Sequence, residues 1–445
     1  MKIRKLLAAA CGCFALLFGT TAARAAETTV AKIGETPYSS LNEAIKAAVA
    51  AKNATVEIVD DITFEDGDTW TPVRIGSDKT LVVNGSGKTI KNLPGCLFGT
   101  THETEAQFGS VFTMTNLKFE NPKIRVEAPG MTCAAVVLAL AYGMDVTLDG
   151  VEIDGADVRG GSDSYVAGFV GWCNGVSGGG RKTVALRNCA LRNSTLVSCG
   201  SVGGLVASTT PTLNEAVELV VENCEVVGNT IVGTELKNGA PRTELVGSVV
   251  GSIGAGDATV SATVSGNSVY GSTSAVDAET LTKDTDEVTA VYGRGNGGEL
   301  TITGGSYDKR PFNAGDEWAK VAEWSRLDEQ DGVFKVVDNL ATLGNVKARQ
   351  RYPWNGLVDV TFELKSKNAA RVFIVAEYVD GGVTKRLPMA AATLVNDDKS
   401  ESEVDVSTGF TVPAQATAKT VHVIWDSTAA VPTRLSGVTF RVYAK

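Results

Sequence analysis

The stretch Val184-Ala-Leu-Arg-Asn-Cys-Ala-Leu191 sets a pattern that returns along the middle of the chain. Apolar residues stand at offsets 0, 2, 5 and 7 from its first residue. An offset of two marks a strand with one buried face, and the step from 2 to 5 marks a bend between two strands that both point inward. The same template fits Phe112–Phe119, Val146–Ile153, Leu219–Val226, Ala262–Val269 and Leu300–Tyr307. Of the 24 inward positions 22 are apolar, Asn267 and Gly305 being the exceptions, so the pattern predicts one repeated structural unit.

The bend of the template, at offset 4, is occupied only by asparagine or glycine. The residues are Asn116, Gly150, Asn188, Asn223, Gly266 and Gly304. Both residue types tolerate the left-handed backbone that a tight bend requires. We therefore predict a bend ladder in which Asn116, Asn188 and Asn223 take equivalent places.

Each repeat also carries a third short apolar segment. These segments are Ala135–Ala139, Val166–Val170, Val202–Val206, Leu245–Val250 and Val288–Tyr292. Three strands per repeat, joined by loops of unequal length, predict an all-β fold: a three-faced parallel β-helix, or β-solenoid, from about Thr55 to Tyr307. Right-handed crossovers are strongly preferred between parallel strands. A β-sandwich is the alternative, but it predicts neither a constant template nor a periodic small-residue strand.

These segments resemble the right-handed parallel β-helix proteins of the pectate-lyase-like superfamily, in which asparagines commonly stack at one bend. The stretch Val202-Gly-Gly-Leu-Val206 also resembles the Gly-Leu-rich repeats of bacterial surface adhesins. Pattern rather than sequence identity carries this resemblance, so it implies a fold and not an activity.

Residues 1–25 have the three parts of a secretory signal peptide. Lys2, Arg4 and Lys5 form a basic start, Leu6–Phe18 is apolar, and Ala23-Arg24-Ala25 offers a cleavage site. The apolar run is shorter than the roughly 20 residues that a membrane-spanning helix needs. We therefore predict export, with the mature chain extracellular, at the cell surface or in the periplasm.

The charge balance of the chain is acidic. The formal net charge is −10, and losing the signal peptide removes four basic residues and no acidic one, which leaves about −14. Such a surface repels nucleic acid, so no nucleic-acid partner is predicted. No later apolar stretch is long enough to span a bilayer, so the mature chain is predicted to have no transmembrane segment.

Both ends of a β-solenoid need covers, because they expose unpaired strand edges. Ser40-Leu-Asn-Glu43 is a capping box that opens an amphipathic helix over Leu41–Ala51, predicted to be the N-terminal cap. At the other end, Trp318, Val321 and Trp324 are at helical spacing and predict a helix over Ala314–Leu327 that packs on the last repeat.

A different pattern begins at about residue 339. Strands with alternating polarity, such as Val358–Leu364 and Ala370–Ala376, predict a small antiparallel β-sandwich over residues 339–445, after a β-helix with caps over residues 26–338. The stretch Arg349-Gln-Arg-Tyr-Pro-Trp-Asn-Gly356, with Trp425-Asp426, resembles a C-terminal module of exported repeat proteins in Gram-negative bacteria. Its position suggests sorting, anchoring or presentation. The simpler interpretation makes Trp354 and Trp425 core residues and Asn355-Gly356 a turn.

The superfamily resemblance implies that a catalytic member would act on acidic polysaccharides and carry the residues for that chemistry. Lyases of this fold use calcium-binding carboxylates beside an Arg or Lys base. The nearest cluster is Asp149, Asp154, Asp157, Arg159 and Asp163, of which Asp149 and Asp154 fall on turn or outward positions. Neither His102 nor His422 lies in the Gly-His-Gly turn of polygalacturonase-like hydrolases. We predict no catalytic set, metal or cofactor, and keep Asp149, Asp154, Arg159 and Asp163 as the candidates for a lyase.

Six cysteines remain after the signal peptide is removed, and two of them share a template position. Cys189 and Cys224 stand at offset 5 in adjacent repeats, so their α-carbons would lie about 4.8 Å apart if the strands pair. That spacing permits a disulfide, and export permits oxidation. Stacked free thiols in the core are the favoured interpretation.

The leading hypothesis for function is a non-catalytic exported protein with a structural or adhesive role. The alternatives are a polysaccharide lyase using the Asp149–Asp163 region and a carbohydrate-binding protein without catalysis. Partners would then be carbohydrate or components of the cell envelope.

Overall fold

The structure is a computed structural model that describes residues 28–99, 107–126, 132–161, 164–176, 178–209, 216–234, 245–254, 256–273, 289–295, 298–313, 315–323, 325–338, 341–352, 356–380, 383–389, 391–428 and 438–444. Within these ranges the chain is all-β apart from one α-helix, and its strands form six sheets. The first four sheets, A to D, are largely parallel, and the last two, E and F, are antiparallel. The predicted signal peptide lies outside the described residues.

The N-terminal part combines the helix with short strands. Its elements are β1 (Ala31–Ile33), β2 (Thr36–Tyr38), α1 (Leu41–Ala50), β3 (Asn53–Ile58), β4 (Ile62–Thr63) and β5 (Thr80–Lys91). Helix α1 begins after Ser40, whose hydroxyl accepts a hydrogen bond from the backbone N–H of Glu43 at 3.5 Å. This contact satisfies one of the free N–H groups at the helix start. One face of the helix is buried, through Leu41, Ala44, Ile45 and Ala48.

The middle of the chain repeats one order of strands. The strands are β6 (Val111–Glu120), β7 (Lys123–Val126), β8 (Thr132–Ala134), β9 (Leu138–Tyr142); β10 (Asp145–Asp149), β11 (Glu152–Asp154), β12 (Asp157–Gly160), β13 (Ser164–Ala167), β14 (Val170–Asn174); β15 (Lys182–Arg187), β16 (Ala190–Arg192), β17 (Thr195–Ser198), β18 (Val202–Gly203), β19 (Val206–Ser208); β20 (Val217–Val227), β21 (Thr230–Thr234), β22 (Val246–Gly247), β23 (Val250–Ile253); β24 (Asp257–Ser265), β25 (Ser268–Thr273), β26 (Tyr292–Gly295); and β27 (Glu299–Tyr307).

Each of these strands pairs in parallel with the equivalent strands of the neighbouring repeats. In β10, for example, Val146 lies beside Phe112 of β6 on one side and Val184 of β15 on the other. Sheet A takes the template strands, sheet B has the order β25-β21-β17-β12-β7, sheet C has β22-β18-β13-β8, and sheet D has β26-β23-β19-β14-β9. The chain therefore visits sheets A, B, C and D in turn and then returns to sheet A one strand further along.

The inward positions of the template form the core of sheet A. In the first four repeats all of them are buried: Phe112, Met114, Leu117, Phe119, Val146, Leu148, Val151, Ile153, Val184, Leu186, Cys189, Leu191, Leu219, Val221, Cys224 and Val226. Parallel pairing stacks each apolar residue on its equivalent, which gives one continuous hydrophobic core.

The register of the fifth repeat differs from the prediction. Leu219 lies beside Ala258, and Cys224 lies beside Ala262. The prediction that the fifth template covers Ala262–Val269 was therefore wrong. The template starts at Ala258, because β24 has one residue fewer at the bend than β20. The sequence pattern could not reveal this shift, because the alternating strand presents apolar residues at the inward positions whether the template starts at Ala258 or at Ala262.

The bends also differ in part from the prediction. Asn116, Gly150, Asn188 and Asn223 have positive φ, as expected, but in the last repeat Gly305 has φ 102° and Gly304 does not have positive φ. A second bend follows the first by five residues, with positive φ at Asn121, Gly155, Asn193 and Gly228. Gly266 lies against Gly228 and belongs to this second series, not to the first.

In four of the repeats, the third predicted strand corresponds to two strands among the described residues. The stretch Val202–Val206 divides into β18 and β19, which belong to sheets C and D, and the buried Leu205 lies between them. A repeat therefore has four sheet segments around the core rather than three faces. Glycine permits the sharp turn, since a Cβ atom on Gly203 would lie 1.9 Å from the carbonyl oxygen of Val206.

Strands, not a helix, follow the last repeat. They are β28 (Ala319–Val321), β29 (Ser325–Gln330) and β30 (Val333–Asp338), so the helix predicted over Ala314–Leu327 was wrong. β28 pairs in parallel with β27 and β30 pairs with it antiparallel, which satisfies backbone groups that would otherwise be free at the sheet end. Trp318 packs edge-on against Tyr292 at 4.5 Å between ring centroids, as its predicted packing role requires. Trp324 lies outside the described residues.

The described residues of the C-terminal part form nine antiparallel strands in two sheets. They are β31 (Ala341–Gln350), β32 (Leu357–Ser366), β33 (Ala370–Asp380), β34 (Val383–Leu387), β35 (Ala391–Val395), β36 (Glu401–Asp405), β37 (Phe410–Val412), β38 (Gln415–Asp426) and β39 (Thr439–Ala444). Sheet E has the order β31-β32-β38-β35-β36, and in sheet F β33 pairs with β34, β37 and β39. Residues of both sheets share one hydrophobic cluster, which includes Phe362 and Ile374.

Candidate functional site

Two of the three predicted lyase carboxylates, Asp149 and Asp154, lie at separate bends. Asp149 ends β10 and its Oδ1 accepts a hydrogen bond from Asn188 Nδ2 at 2.7 Å. Asp154 ends β11 and its Oδ1 accepts from Asn193 Nδ2 at 2.9 Å. Each carboxylate therefore binds the bend asparagine of the next repeat. This arrangement gives both residues a structural role in stacking the repeats.

Arg159 lies on β12 in sheet B, where it donates from Nε to Asp157 Oδ1 at 2.9 Å. Asp157 also forms an ion pair with Arg125 of the preceding repeat. Burial acts to raise the pKa of Asp157, but the hydrogen bonds of Arg125 and Arg159 outweigh it and leave that pKa lower than usual. Asp163, the fourth candidate, lies outside the described residues, as does His102.

In the part of the chain that the structure describes, no group of three or more His, Cys, Asp and Glu side chains is placed to hold a metal ion.

Charged side chains at the non-core positions of sheet A form rows of ion pairs between neighbouring repeats. Arg187 pairs with Glu222 at 3.1 Å, and Arg192 binds Glu225 in one neighbouring repeat and Glu152 in the other. Burial acts to lower the pKa of Arg192, but its hydrogen bond and charge interaction with Glu225 raise it overall. Exposed pairs each stabilise a fold by at most about 1 kcal/mol. Their larger effect is to keep the repeat surface balanced in charge.

A buried polar ladder follows the second bend. Asn229 Oδ1 accepts from the backbone N–H of Ser194 at 2.9 Å, and Asn267 Oδ1 accepts from the backbone N–H of Asn229 at 2.9 Å. Their side-chain amides donate in turn to the carbonyl oxygens of Leu191 and Val226. The sequence template treated Asn267 as an exception and overlooked Asn229. The available signal was the shared place of both residues, directly after a glycine of the second bend.

The paired cysteines lie in neighbouring strands, as the template requires. The backbone N–H of Glu225 donates to the carbonyl oxygen of Cys189 at 2.8 Å, which places Cys224 beside Cys189. Both side chains are buried, as are those of the other four described cysteines. The hydrogen bond with Cys224 and burial raise the pKa of the Cys189 thiol. Stacked free thiols stay the prediction for this pair and a disulfide the alternative, and mass measurement distinguishes them.

Sheets C and D approach each other closely outside the main core. A Cβ atom on Gly203 would lie 2.6 Å from the backbone nitrogen of Gly251. Hydroxyl groups bridge the same region, since Ser201 Oγ donates to the carbonyl oxygen of Ala207 at 2.6 Å and Ser252 Oγ donates to Ser208 Oγ at 2.8 Å. In earlier repeats a separate apolar cluster takes this place, with the rings of Tyr165 and Trp172 stacked at 4.9 Å. Side chains rather than an open cleft fill this region.

The sequence motif of the C-terminal part builds one polar cluster on sheet E. Arg351 Nε lies 3.0 Å from both carboxylate oxygens of Asp359, and His422 Nε2 lies 2.6 Å from Asp359 Oδ1. The Arg351 guanidinium, more than His422, holds the pKa of Asp359 below its usual range. Tyr352, at 84% exposure, begins the loop beyond this cluster. Trp425 is a core residue, as the simpler interpretation predicts, whereas Trp354 and Asn355 lie outside the described residues.

Comparisons with known proteins add little to this geometry. No protein-family model and no curated protein matches the chain. Among solved structures the chain is similar to the Dettilon tailspike protein (gp208), with 10% sequence identity, coverage of 87% of this chain and 90% of that chain, and a TM-score of 0.12. A TM-score this low carries no structural argument. Within the described residues, no helix has the length and apolar character needed to cross a membrane.

Proposed function

We propose that the chain is an exported protein of the cell surface or the extracellular space, with a structural or adhesive role and without catalytic activity. Its repeats would wind as a right-handed parallel β-solenoid over residues 26–338. Helix α1 would cap one end, and residues 339–445 would form an attachment or sorting module.

The observation that carries this proposal is the parallel register of sheet A. Phe112, Val146, Val184, Leu219, Ala258 and Leu300 stand side by side in consecutive strands. A chain that returns to the same sheet one strand further along builds a rod whose length grows with repeat number. A rod of this kind suits a spacer or an extended binding face, and the predicted signal peptide supports export.

The use of the polar groups also favours a structural role. Asp149 and Asp154 bind asparagines of the next repeat, and Arg159 binds Asp157. A general base or a calcium ligand needs oxygen atoms that converge on one point, and these three residues hold different parts of the repeat together.

A depolymerisation assay separates this proposal from the lyase alternative. The mature chain, residues 26–445, is incubated with acidic and neutral polysaccharides, while unsaturated products and reducing ends are followed. We expect no product. Depolymerisation that Asp154→Asn or Arg159→Lys abolishes, while the surface variant Lys46→Gln retains it, would overturn the proposal. Sedimentation of the chain with an insoluble polysaccharide, without cleavage, would instead support the carbohydrate-binding alternative.

Cellular location is tested in the native bacterium. Antibody labelling of intact cells and sequencing of the mature N-terminus are expected to find the chain outside the cytoplasm and beginning at residue 26. A cytoplasmic protein with an intact N-terminus contradicts export.

A further inference from the structure

A cleft of about 550 Å³ lies beside the N-terminal cap. Most of its lining comes from three segments: the start of helix α1, strand β4 with the residues on either side of it, and the loop 67–70. Its volume falls within the range of about 300–1,000 Å³ that is typical of small-molecule sites. The proposed function uses the helix only as a cap, so it leaves this cleft without a role.

One wall of the cleft is apolar. Leu41 of helix α1 is buried, and Phe64 packs edge-on against Trp70 with 5.9 Å between the ring centroids. The indole N–H of Trp70 donates to the carbonyl oxygen of Leu97 at 3.3 Å, which fixes the orientation of this ring. Such a wall suits a ligand that has an apolar face.

Two carboxylates line the cleft, and the fold uses only one oxygen of each. Asp61 Oδ1 accepts a hydrogen bond from the backbone N–H of Thr89 at 2.8 Å, and Asp68 Oδ2 accepts from that of Glu65 at 2.8 Å. Among the described residues, the second oxygen of each carboxylate has no hydrogen-bond partner. The loop contacts therefore hold both carboxylates in place and leave an acceptor on each.

Three further polar side chains line the cleft: Asn42, Thr63 and Thr69. Within the ranges that the structure describes, none of them has a hydrogen-bond partner. The polar groups of the repeats differ in this respect, since Asp149 and Asp154 bind asparagines of the next repeat. Polar groups that the fold leaves around one cavity are available to a ligand.

The mixture of donors and acceptors decides the class of ligand. The two carboxylates only accept hydrogen bonds, whereas the Asn42 amide and the threonine hydroxyls also donate. Asp61 and Asp68 repel an anionic ligand, and the positive end of helix α1 disfavours a cationic one. Sugar hydroxyls both donate and accept without carrying charge, and the C–H face of a sugar ring suits the apolar wall.

We propose that this cleft binds a neutral sugar of one or two rings, whose hydroxyl groups donate to Asp61 and Asp68 and whose ring packs against Phe64. A cleft of this size holds the end of a glycan rather than a long segment of one. The inference rests on the proposed adhesive role, for which it names the class of ligand.

Isothermal titration calorimetry of the mature chain, residues 26–445, tests the proposal. The probes are glucose, galactose, mannose, N-acetylglucosamine, cellobiose and lactose, with glucuronate and glucosamine as charged analogues. We expect at least one neutral sugar to bind saturably with a Kd of about 1 mM or below. Each charged analogue is expected to bind at least about tenfold more weakly, because the cleft opposes both signs of charge.

The double variant Asp61→Asn/Asp68→Asn keeps the loop hydrogen bonds and places an amide donor where each carboxylate presents an acceptor. We expect it to bind the same sugar at least about tenfold more weakly, because hydrogen bonds to charged groups are strong. The matched control, Glu57→Gln/Asp66→Asn, removes two charges at exposed positions outside the cleft and is expected to bind as the wild type does. In the wild type, saturating sugar is expected to slow hydrogen exchange in residues 61–70 and not in sheets E and F.

Failure of every neutral sugar to bind at about ten times that Kd overturns the proposal. Binding by the double variant equal to that of the wild type overturns it as well, and so does slowed exchange that excludes residues 61–70. Tighter binding of a charged analogue overturns the neutral class of ligand. A chain found outside the cytoplasm that binds none of these sugars leaves the proposed function standing, whereas a cytoplasmic chain that binds one contradicts the proposed function alone.

Discussion

The repeat region and the C-terminal sheets treat charge and strand edges in opposite ways. In the repeats, parallel pairing places equivalent residues side by side, and charges are matched between neighbours, as in Arg187 and Glu222. In sheet E, cations and carboxylates stand at opposite edges, with four strand spacings between them. The first arrangement satisfies its charges within one molecule. The second keeps charges of opposite sign at separate edges.

The difference follows from the strand connections. A repeating parallel sheet gives nearly every strand two neighbours, so only the first and last strands expose backbone groups. A small antiparallel sheet has two edges for five strands. Matched charges suit an interior of stacked repeats, whereas edge charges control which strands are allowed to pair. The predictions that follow test this contrast, beginning with the largest expected effect.

Two core phenylalanines test whether the two regions unfold independently. Phe119 and Phe362 are each fully buried, in separate hydrophobic clusters. Replacement by Ala is expected to cost about 3–5 kcal/mol of local stability at either site. Hydrogen exchange followed by mass spectrometry should show faster exchange in the repeats for Phe119→Ala and in sheets E and F for Phe362→Ala. Faster exchange of both regions in either variant contradicts independent unfolding.

The buried amide ladder is expected to matter more than a comparable surface network. Asn229→Ala leaves the backbone N–H of Ser194 without its acceptor in a dry environment, at a cost of about 1–3 kcal/mol. Asn396, whose amide donates to Ser400 in the turn before β36 and to Ser402 within β36, is the comparison site beside sheet E. We expect Asn396→Ala to cost less than about 1 kcal/mol in urea titrations. Equal losses would show that burial does not set the difference.

The bend residues test backbone strain. Asn223 has φ 52°, which costs a β-branched residue about 1–2 kcal/mol and glycine almost nothing. Asn223→Val is therefore expected to lower the melting temperature clearly, while Asn223→Gly stays close to the wild type. A Gly variant as unstable as the Val variant would assign the effect to lost side-chain contacts instead.

Asp157 in the repeats and Asp359 in sheet E are each expected to make the stability of the fold depend on pH. The pKa values of Asp157 and Asp359 are lowered in the folded state. Their contribution is present above the ordinary carboxyl pKa of about 3.9 and is lost as the pH falls through the lower folded-state value. Melting temperatures between neutral and strongly acidic pH should therefore fall less steeply for Asp157→Asn and Asp359→Asn than for the wild type. An unchanged slope in either variant contradicts the role of that carboxylate.

The smallest expected effect concerns the stacked cysteines. Alkylation of the unfolded chain should label both Cys189 and Cys224 without prior reduction, and the intact mass should not change with reductant. A gain of two protons on reduction, lost in Cys224→Ser, would instead establish the disulfide.

The sequence predicted an element correctly where several features of the sequence, such as apolar spacing and a bend residue, indicated the same structure. Four repeats share a template with two apolar pairs around an Asn or Gly bend, and their register is as predicted. The fifth has a shortened bend, and two alignments then fit the same alternation of apolar residues. Trp318, Val321 and Trp324 have helical spacing, but pairing with β27 decides the conformation of the two described ones, because the sheet end has backbone groups to satisfy.

The candidate site shows the same limit. Asp149, Asp154 and Arg159 are close in sequence, which suggested one cluster, yet two bends turn them toward different partners. The basic residues of β31, Lys347 and Arg349, are more than fifty residues from Glu401 and Glu403 of β36. The register of sheet E nevertheless connects these residues through directly opposed positions of the five strands. Strand order creates that relation, and no local pattern reveals it.

The sequence by itself determined the repeating buried template, the first series of left-handed bends and the change to antiparallel strands near residue 339, because each is a local rule of period, backbone freedom or alternation. Only the tertiary structure decided the second bend, the division of the third strand between sheets C and D, the partners of the charged residues and the opposite charges of the sheet E edges. These depend on which strands become neighbours, and that is fixed by packing of the whole core rather than by any one segment.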